Sequence, residues 1–323
     1  MKPLLDVRNL SVVFETRAGD VHAVKDVSYT LQAGESLAVV GESGSGKSVS
    51  ALSLLGLVPP PGVVTGGQLL FNNRDIRKLR DIQLRRLRGR QISMVFQDPM
   101  TSLNPVLTVG QQLIEALVWH KPAMKADARQ RAIDTLELVG IPGAADRLLD
   151  YPHQFSGGQR QRIMIAMGII CRPSLLIADE PTTALDVTIQ AQIVELVKRL
   201  QAKMRMAVIW ITHDLALVAG IVDKVAVMYA GSIVEYGTVE NIFDSPAHPY
   251  TSGLLQSMPD FSAPVRSRLK SIDGAPPDMK HIPRGCPFAP RCPRVVDKCR
   301  AQRPALETIS SGAVVACWRA DQS

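Results

Sequence analysis

A chain of 323 residues with 46% hydrophobic and 21% charged residues has an ordinary globular composition, which excludes disordered, fibrous and collagen-like classes. Its formal charge of +7 gathers in two places: residues 74–90, with eight Lys/Arg against Asp75 and Asp81, and residues 241–323, with 11 Lys/Arg against 7 Asp/Glu. Aromatic residues are 5% of the chain and do not alternate with the basic runs, which argues against nucleic-acid partners and leaves a solvated basic surface or one facing an anionic lipid leaflet.

In chain order, Leu4 to Phe14 reads as an edge strand closed by the turn Ala18-Gly19-Asp20, and Val21 to Leu31 as a further strand ended by Ala33-Gly34. The apolar run Leu37-Ala38-Val39-Val40 predicts a buried strand, and Val49 to Leu57 a helix. Between them stands Gly41-Glu42-Ser43-Gly44-Ser45-Gly46-Lys47-Ser48. It fits G-x-x-x-x-G-K-[ST], the phosphate-binding P-loop, in the strand–loop–helix setting that motif needs. Glycines let the backbone aim its N–H groups at one point, and the helix N-terminus adds partial positive charge. Lys47 is expected to reach the β- and γ-phosphates, Ser48 to take a Mg²⁺ position, and Val49 to complete the cofactor-binding stretch.

Gln68 to Phe71 reads as a short strand before the turn Asn72-Asn73, and Ile92 to Phe96 as a buried strand. From Pro99 to about Gln154 the pattern turns helical, with Val109 to Trp119 and Ala126 to Val139 at helical spacing and Gly140 as a stop. Strands return at Leu175 to Ala178, Val208 to Ile211 and Val225 to Tyr229, and Ala230-Gly231 turns the last into Ser232 to Tyr236. From about Phe243 frequent prolines interrupt any long element, and the tail reads as a separate loop-rich unit. No run is long enough to span a bilayer, and residues 1–6 lack the apolar stretch of a signal peptide. The expected place is the cytosol, with any membrane role exercised through partners.

Leu175-Leu176-Ile177-Ala178-Asp179-Glu180 is an apolar strand ending in two acids, the Walker B arrangement. Asp179 suits the Mg²⁺ shell, and Glu180, one residue further out, suits orienting and deprotonating the attacking water. Phe155-Ser156-Gly157-Gly158-Gln159 precedes a helix 23 residues before Asp179. In that setting it resembles the signature sequence of ATP-binding cassette (ABC) ATPases.

The resemblance to ABC ATPases covers roughly residues 4–240 and carries further motifs in order. It implies that Phe14 stacks on adenine and that Gln97, in Phe96-Gln97-Asp98-Pro99, is the Q-loop sensor of Mg²⁺ and the γ-phosphate. Asp186, in Ala184-Leu185-Asp186, matches the D-loop at a dimer interface. His213 matches the switch histidine on the γ-phosphate. It also implies that Ser156, Gly157, Gly158 and Gln159 serve ATP held by the P-loop of a second cassette. The expected fold is α/β: a P-loop NTPase cassette with a RecA-like core, an antiparallel β edge and a helical insert at about 99–165. It occupies residues 1–240 and is followed by a small loop-rich C-terminal domain at 241–323.

The P-loop, the stretch from Phe96 to Pro105, the stretch from Ala178 to Thr188 and His248-Pro249-Tyr250-Thr251 resemble one subgroup. This is the ATPase subunit family of dipeptide, oligopeptide and nickel importers, and the likeness is greatest to dipeptide permease ATPases of the D type. Phe155 stands where a Leu is commoner. The resemblance implies a peripheral subunit at the cytoplasmic face of a bacterial inner membrane, paired with a second related ATPase under two permease subunits. It also implies a periplasmic or extracellular binding protein that delivers substrate. Peptides are the expected cargo, with nickel chelates and glutathione-type peptides as alternatives. A DNA-repair-type ABC ATPase is the rival from another class, but those need long coiled-coil or zinc-hook insertions, and the 132 positions from Lys47 to Asp179 hold one small helical insert without sustained heptads.

Cys171 sits in an apolar helix and reads as core, whereas Cys286, Cys292, Cys299 and Cys317 cluster at intervals of 5, 6 and 17 intervening residues. In a reducing compartment such a cluster points away from disulfides and toward metal, with zinc, an iron–sulfur cluster and unligated thiols all open. The family resemblance implies a [4Fe–4S] cluster on these four residues.

Overall fold

The computed structural model describes residues 2–121, 125–183, 185–258 and 271–320. Two compact units emerge: one built from Met1–Leu31, Ser36–Arg77 and Ile211–Ser323, the other from Gln32–Glu35 and Lys78–Trp210.

The first unit opens with β1 (Leu5–Thr16) and β2 (Gly19–Leu31), an antiparallel pair in register from Leu5↔Leu31 to Thr16↔Gly19. After β3 (Ser36–Val40) and helix α1 (Lys47–Leu54), β4 (Gly62–Phe71) and β5 (Arg74–Asp75) complete a sheet in the order β2–β1–β4–β5. β4 starts six residues earlier than the sequence reading placed it. Its Gly66-Gly67 pair bends the strand rather than ending it: Gly67 has φ +90, and a Cβ there would lie 2.5 Å from the Arg8 carbonyl oxygen. The register of β1 against β4 shifts at the same place, between Arg8 and Ser11.

The second unit begins with α2 (Asp81–Leu87) and β6 (Ile92–Val95), then runs through α3 (Pro99–Ser102), α4 (Val109–His120), α5 (Ala128–Leu138) and α6 (Ala144–Arg147) to α7 (Gly157–Ile169). Reciprocal bonds between Thr108 and Gln111 fix the start of α4. β7 (Leu175–Asp179) pairs parallel with β6, Val95 opposite Ala178, and α8 (Val187–Met204) follows. All five residues of β7 are buried, as a parallel strand covered on both faces requires.

β8 (Ala207–Thr212) and the short α9 (Leu215–Val218) lead back to the first unit, where β9 (Lys224–Tyr229) pairs parallel with β3. Ser36 anchors that pair by giving its N–H and hydroxyl to Asp223 Oδ2 at 2.7 and 2.6 Å. Ala230 and Gly231 both take positive φ, 45 and 79, forming the tight hairpin turn into β10 (Ser232–Thr238).

The C-terminal part carries α10 (Val239–Asp244), α11 (Pro249–Gln256), α12 (Asp297–Ala301), β11 (Glu307–Thr308) and β12 (Val314–Val315). β12 pairs antiparallel with β10, so the tail extends the sheet β11–β12–β10–β9–β3 of its own unit. Ala247, Ala313, Val315 and Ala320 bury one another beneath that edge. Among the described residues no helix is long and apolar enough to cross a membrane.

Candidate functional site

The P-loop leaves buried β3 and turns into α1 within the first unit. Gly41 (φ +152) and Gly46 (φ +96) are required by close approach as well as by backbone angle: a Cβ at Gly41 would strike the Met228 carbonyl oxygen, and one at Gly46 that of Ala23. Lys47 is buried, and its Nζ donates to the carbonyl oxygens of Gly41 at 2.8 Å and Glu42 at 3.0 Å. The ammonium therefore lies folded over its own loop. Ser45 Oγ is buried without a hydrogen-bond partner among the described residues, while Ser43 and Gly44 are exposed at the tip. Ser48 and Val49 are half-buried in the first turn of α1.

Phe14 is half-buried on β1, its ring edge packed on the bare backbone of Gly62. His213 is exposed on the bend after β8. The following turn is held by Asp214, whose Oδ1 accepts the Ala216 N–H at 2.9 Å.

In the second unit Asp179 is buried at the end of β7, and Glu180 is the first residue beyond it. Glu180 has φ 44, a left-handed backbone that a residue with a Cβ rarely adopts and that marks a constrained position. Its Oε2 accepts from Gln97 Nε2 at 3.1 Å and from Thr183 Oγ1 at 2.9 Å. The Q-loop and Walker B residues predicted from sequence thus meet.

Ser156 caps α7, its Oγ accepting the Gln159 N–H at 3.3 Å while Gln159 Oε1 accepts the Ser156 N–H at 3.0 Å. Ser156 and Gly157 are exposed, so the start of this helix presents backbone N–H groups outward. Gly158 lies against α8, where a Cβ would sit 3.0 Å from Ile189 Cγ2. Phe155 is buried beneath the Arg147 guanidinium, 4.1 Å from the ring centroid. Asp186 is exposed and caps α8 by accepting the Ile189 N–H at 3.0 Å; its D-loop neighbour Ala184 lies outside the described residues.

Burial pushes the Cys286 thiol up to about 11 and raises those of Cys292 and Cys317, and the neighbouring thiols add to each rise. The Cys286 N–H donates to the Cys299 carbonyl at 2.8 Å. The donor chemistry suits a thiolate-bound metal, yet among the described residues no three His, Cys, Asp or Glu side chains are grouped to hold one. As placed, the four sulfurs do not form the expected ligand set. Cys171, in the other unit, is buried with Sγ 3.7 Å from the Ala116 carbonyl oxygen, as a core residue should be.

Two residues not assigned to the site by sequence touch the P-loop: Tyr250, whose hydroxyl accepts the Glu42 N–H at 2.9 Å, and Arg291, which forks onto the Glu42 carboxylate. With 249 positions between Glu42 and Arg291, no local spacing could signal the pairing.

Comparison with known proteins agrees with this geometry. Residues 24–183 match the ABC transporter family, and residues 234–299 match the oligopeptide/dipeptide transporter C-terminal region. The dipeptide transport ATP-binding protein DppD of Bacillus subtilis (strain 168) is 54% identical over all 323 residues and is covered to 96%. The oligopeptide transport ATP-binding protein OppD of Escherichia coli (strain K12) is 51% identical over 98% of this chain and 93% of its own length. Among solved structures, a dimeric post-hydrolysis ATP-binding cassette bound to ADP and Pi superposes with a TM-score of 0.65 at 27% identity, covering 73% of this chain and 98% of that one. The strand-borne P-loop, the acid pair after β7 and these likenesses along the whole chain place it in the ABC transporter family, as an ABC ATPase carrying the C-terminal region of the oligopeptide/dipeptide transporters.

Proposed function

We propose that this chain hydrolyses ATP to power import of di- or oligopeptides. The observation that carries the reading is the oligopeptide/dipeptide C-terminal region at 234–299 on the same chain as the ABC motifs. Reconstitution with its permease subunits in proteoliposomes, followed by uptake of labelled dipeptide, longer peptide and nickel, tests it. ATP-dependent peptide uptake is expected; nickel uptake alone would reassign the cargo.

In this reading the backbone of Gly41 to Ser48 cradles the β- and γ-phosphates, and Phe14 supports the adenine. Lys47 must leave the Gly41 and Glu42 carbonyls to reach phosphate. Ser48, Gln97 and Asp179 offer the oxygen donors that suit Mg²⁺, which when bound neutralises charge on the phosphates. Glu180 orients a water and takes its proton as the water oxygen attacks the γ-phosphorus and the bond to the β-phosphate oxygen breaks. His213 contacts the γ-phosphate and signals its loss.

Ser156 to Gln159 act on the ATP of a second, related ATPase. Support comes from the exposed start of α7 and from Val187, 81% exposed beside Asp186, a large apolar side chain suited to cover by a partner. Two permease subunits would dock near the Q-loop, where Phe96, Met100 and Val106 are exposed within one short segment. A separate binding protein would deliver the cargo, and the subunit would sit peripherally at the cytoplasmic face of the membrane.

The four C-terminal cysteines, which are not gathered as a ligand set in the structure, are proposed to come together around a [4Fe–4S] cluster on the strength of their closeness along the sequence and their thiol chemistry. Oxygen-free purification with visible absorbance and iron analysis tests this separately. A colourless, iron-free, folded and ATP-hydrolysing chain would exclude it.

A further inference from the structure

The second residue of the P-loop is tied to the C-terminal part of its own unit from two directions. Arg291 forks onto the Glu42 carboxylate, Nη1 to Oε2 at 2.8 Å and Nη2 to Oε1 at 3.0 Å. Its other hydrogens go to the Tyr229 hydroxyl at 3.3 Å, the Ile272 carbonyl at 3.2 Å and, from Nε, the Asp273 carbonyl at 3.0 Å. A guanidinium has five N–H donors, and all are engaged. The Arg291 side chain is 5% exposed and that of Glu42 26%, so this pair is not a solvent-screened surface bridge.

The second tie is the Tyr250 hydroxyl, which accepts the Glu42 N–H. Its ring packs on Tyr229 at 4.6 Å and on Phe288 at 5.4 Å, fixing the hydroxyl. Glu42 is thus held through both its side chain and its backbone. The preceding residue, Gly41, lies close against the Met228 carbonyl on β9. A P-loop binds phosphate only while its N–H groups converge, and each residue held in place beforehand lowers the ordering cost of binding.

We propose that Arg291 is a positioning residue for ATP: through its fork on Glu42, the C-terminal region holds the P-loop in its phosphate-binding shape. The proposal rests on the P-loop being the ATP site. Because linkage is reciprocal, nucleotide in the loop also strengthens the seating of the segment around Arg291. A conservative Lys cannot replace the fork, since an ammonium is a point charge rather than a planar pair of donors.

The test uses the full chain and Mg²⁺ with a fluorescent N-methylanthraniloyl ATP. Arg291→Ala is expected to weaken binding about 5–50-fold with cooperative unfolding retained, and Arg291→Lys to recover only part of the loss. Glu42→Ala combined with Arg291→Ala should be no worse than Arg291→Ala alone, because both remove one contact. In hydrogen exchange, nucleotide should slow exchange of residues 286–292 in the wild type and not in Arg291→Ala. If Arg291→Ala does not fold, Glu42→Gln, which keeps the side-chain shape, must show the weakening. Folded variants that bind ATP within about two-fold of the wild type would overturn the proposal alone, as would losses that multiply in the double variant. A wild-type chain with no affinity for ATP would overturn the ATP reading itself and this proposal with it.

Discussion

Gln97 Nε2 donates to Glu180 Oε2 across 3.1 Å, joining the second residue beyond β6 to the first beyond β7. Thr183 holds the same oxygen at 2.9 Å, so the carboxylate is oriented by two donors on a left-handed backbone. A group held this way suits a base that must meet one water in one direction. Glu180→Gln should keep ATP binding and lower turnover ~10²–10⁴-fold in the assembled transporter. Phosphate release assays on the purified complex read this out, and a normal rate would remove Glu180 from the role.

Lys47→Ala should act at an earlier step. The ammonium rests on the Gly41 and Glu42 carbonyls and, in the proposed mechanism, transfers from them to phosphate. Its loss should weaken nucleotide binding by an order of magnitude or more, roughly the worth of a charge-assisted bond. Equilibrium titration of the chain with labelled ATP decides between a change in affinity and one in turnover alone.

Phe155→Leu is expected to be mild. The Arg147 guanidinium sits 4.1 Å from the ring centroid of a buried Phe155, a contact worth about 0.5–1 kcal/mol. Urea unfolding should fall by about that amount while ATP turnover persists. A loss above about 3 kcal/mol would instead mean a packing defect.

Stability should fall on acidification through His248. This imidazole is buried, accepts the Tyr250 N–H on Nδ1 at 3.1 Å, and has its pKa pushed down to about 3 by burial and the nearby Arg294 charge. Buried Glu235 faces its backbone, accepting the His248 N–H at 3.1 Å. An unfolded histidine titrates near ~6.5. Between there and about 3 the unfolded chain binds the extra proton, so the contribution is complete above pH ~6.5 and is lost as pH falls. Urea midpoints measured from pH 7.5 to 4.5 should drop less steeply in His248→Asn, which keeps a capping acceptor. Parallel slopes for the two proteins would assign the acid sensitivity elsewhere.

Legibility from sequence tracked how local each cause is. The P-loop, the acid pair after β7 and the start of α7 are short runs whose spacing encodes their geometry, and they were read residue by residue. Gln97 was assigned by resemblance, but its bond to Glu180 spans 83 positions and needed a fold to appear. The extended β4 was hidden because Gly66-Gly67 looks like an ending, whereas its bend is imposed by the β1 backbone. The proline-rich tail gave no sign that Val314–Val315 would join β10, since two-residue strands carry no period. Phe155 stands where a Leu is commoner, and its partner was not legible from that: Arg147, at the end of α6, is brought over the ring by the turn that leads into α7.

The pairing of β12 with β10 also constrains synthesis. On a ribosome, the hydrogen-bonding groups of Glu235 and Tyr236 emerge long before their partners Val315 and Val314 are translated. Over that interval the nascent chain exposes an unfinished sheet margin, an invitation to strands of other molecules. Overproduced fragments halted before residue 314 should accordingly clump, and chaperone occupancy should peak over that stretch of translation.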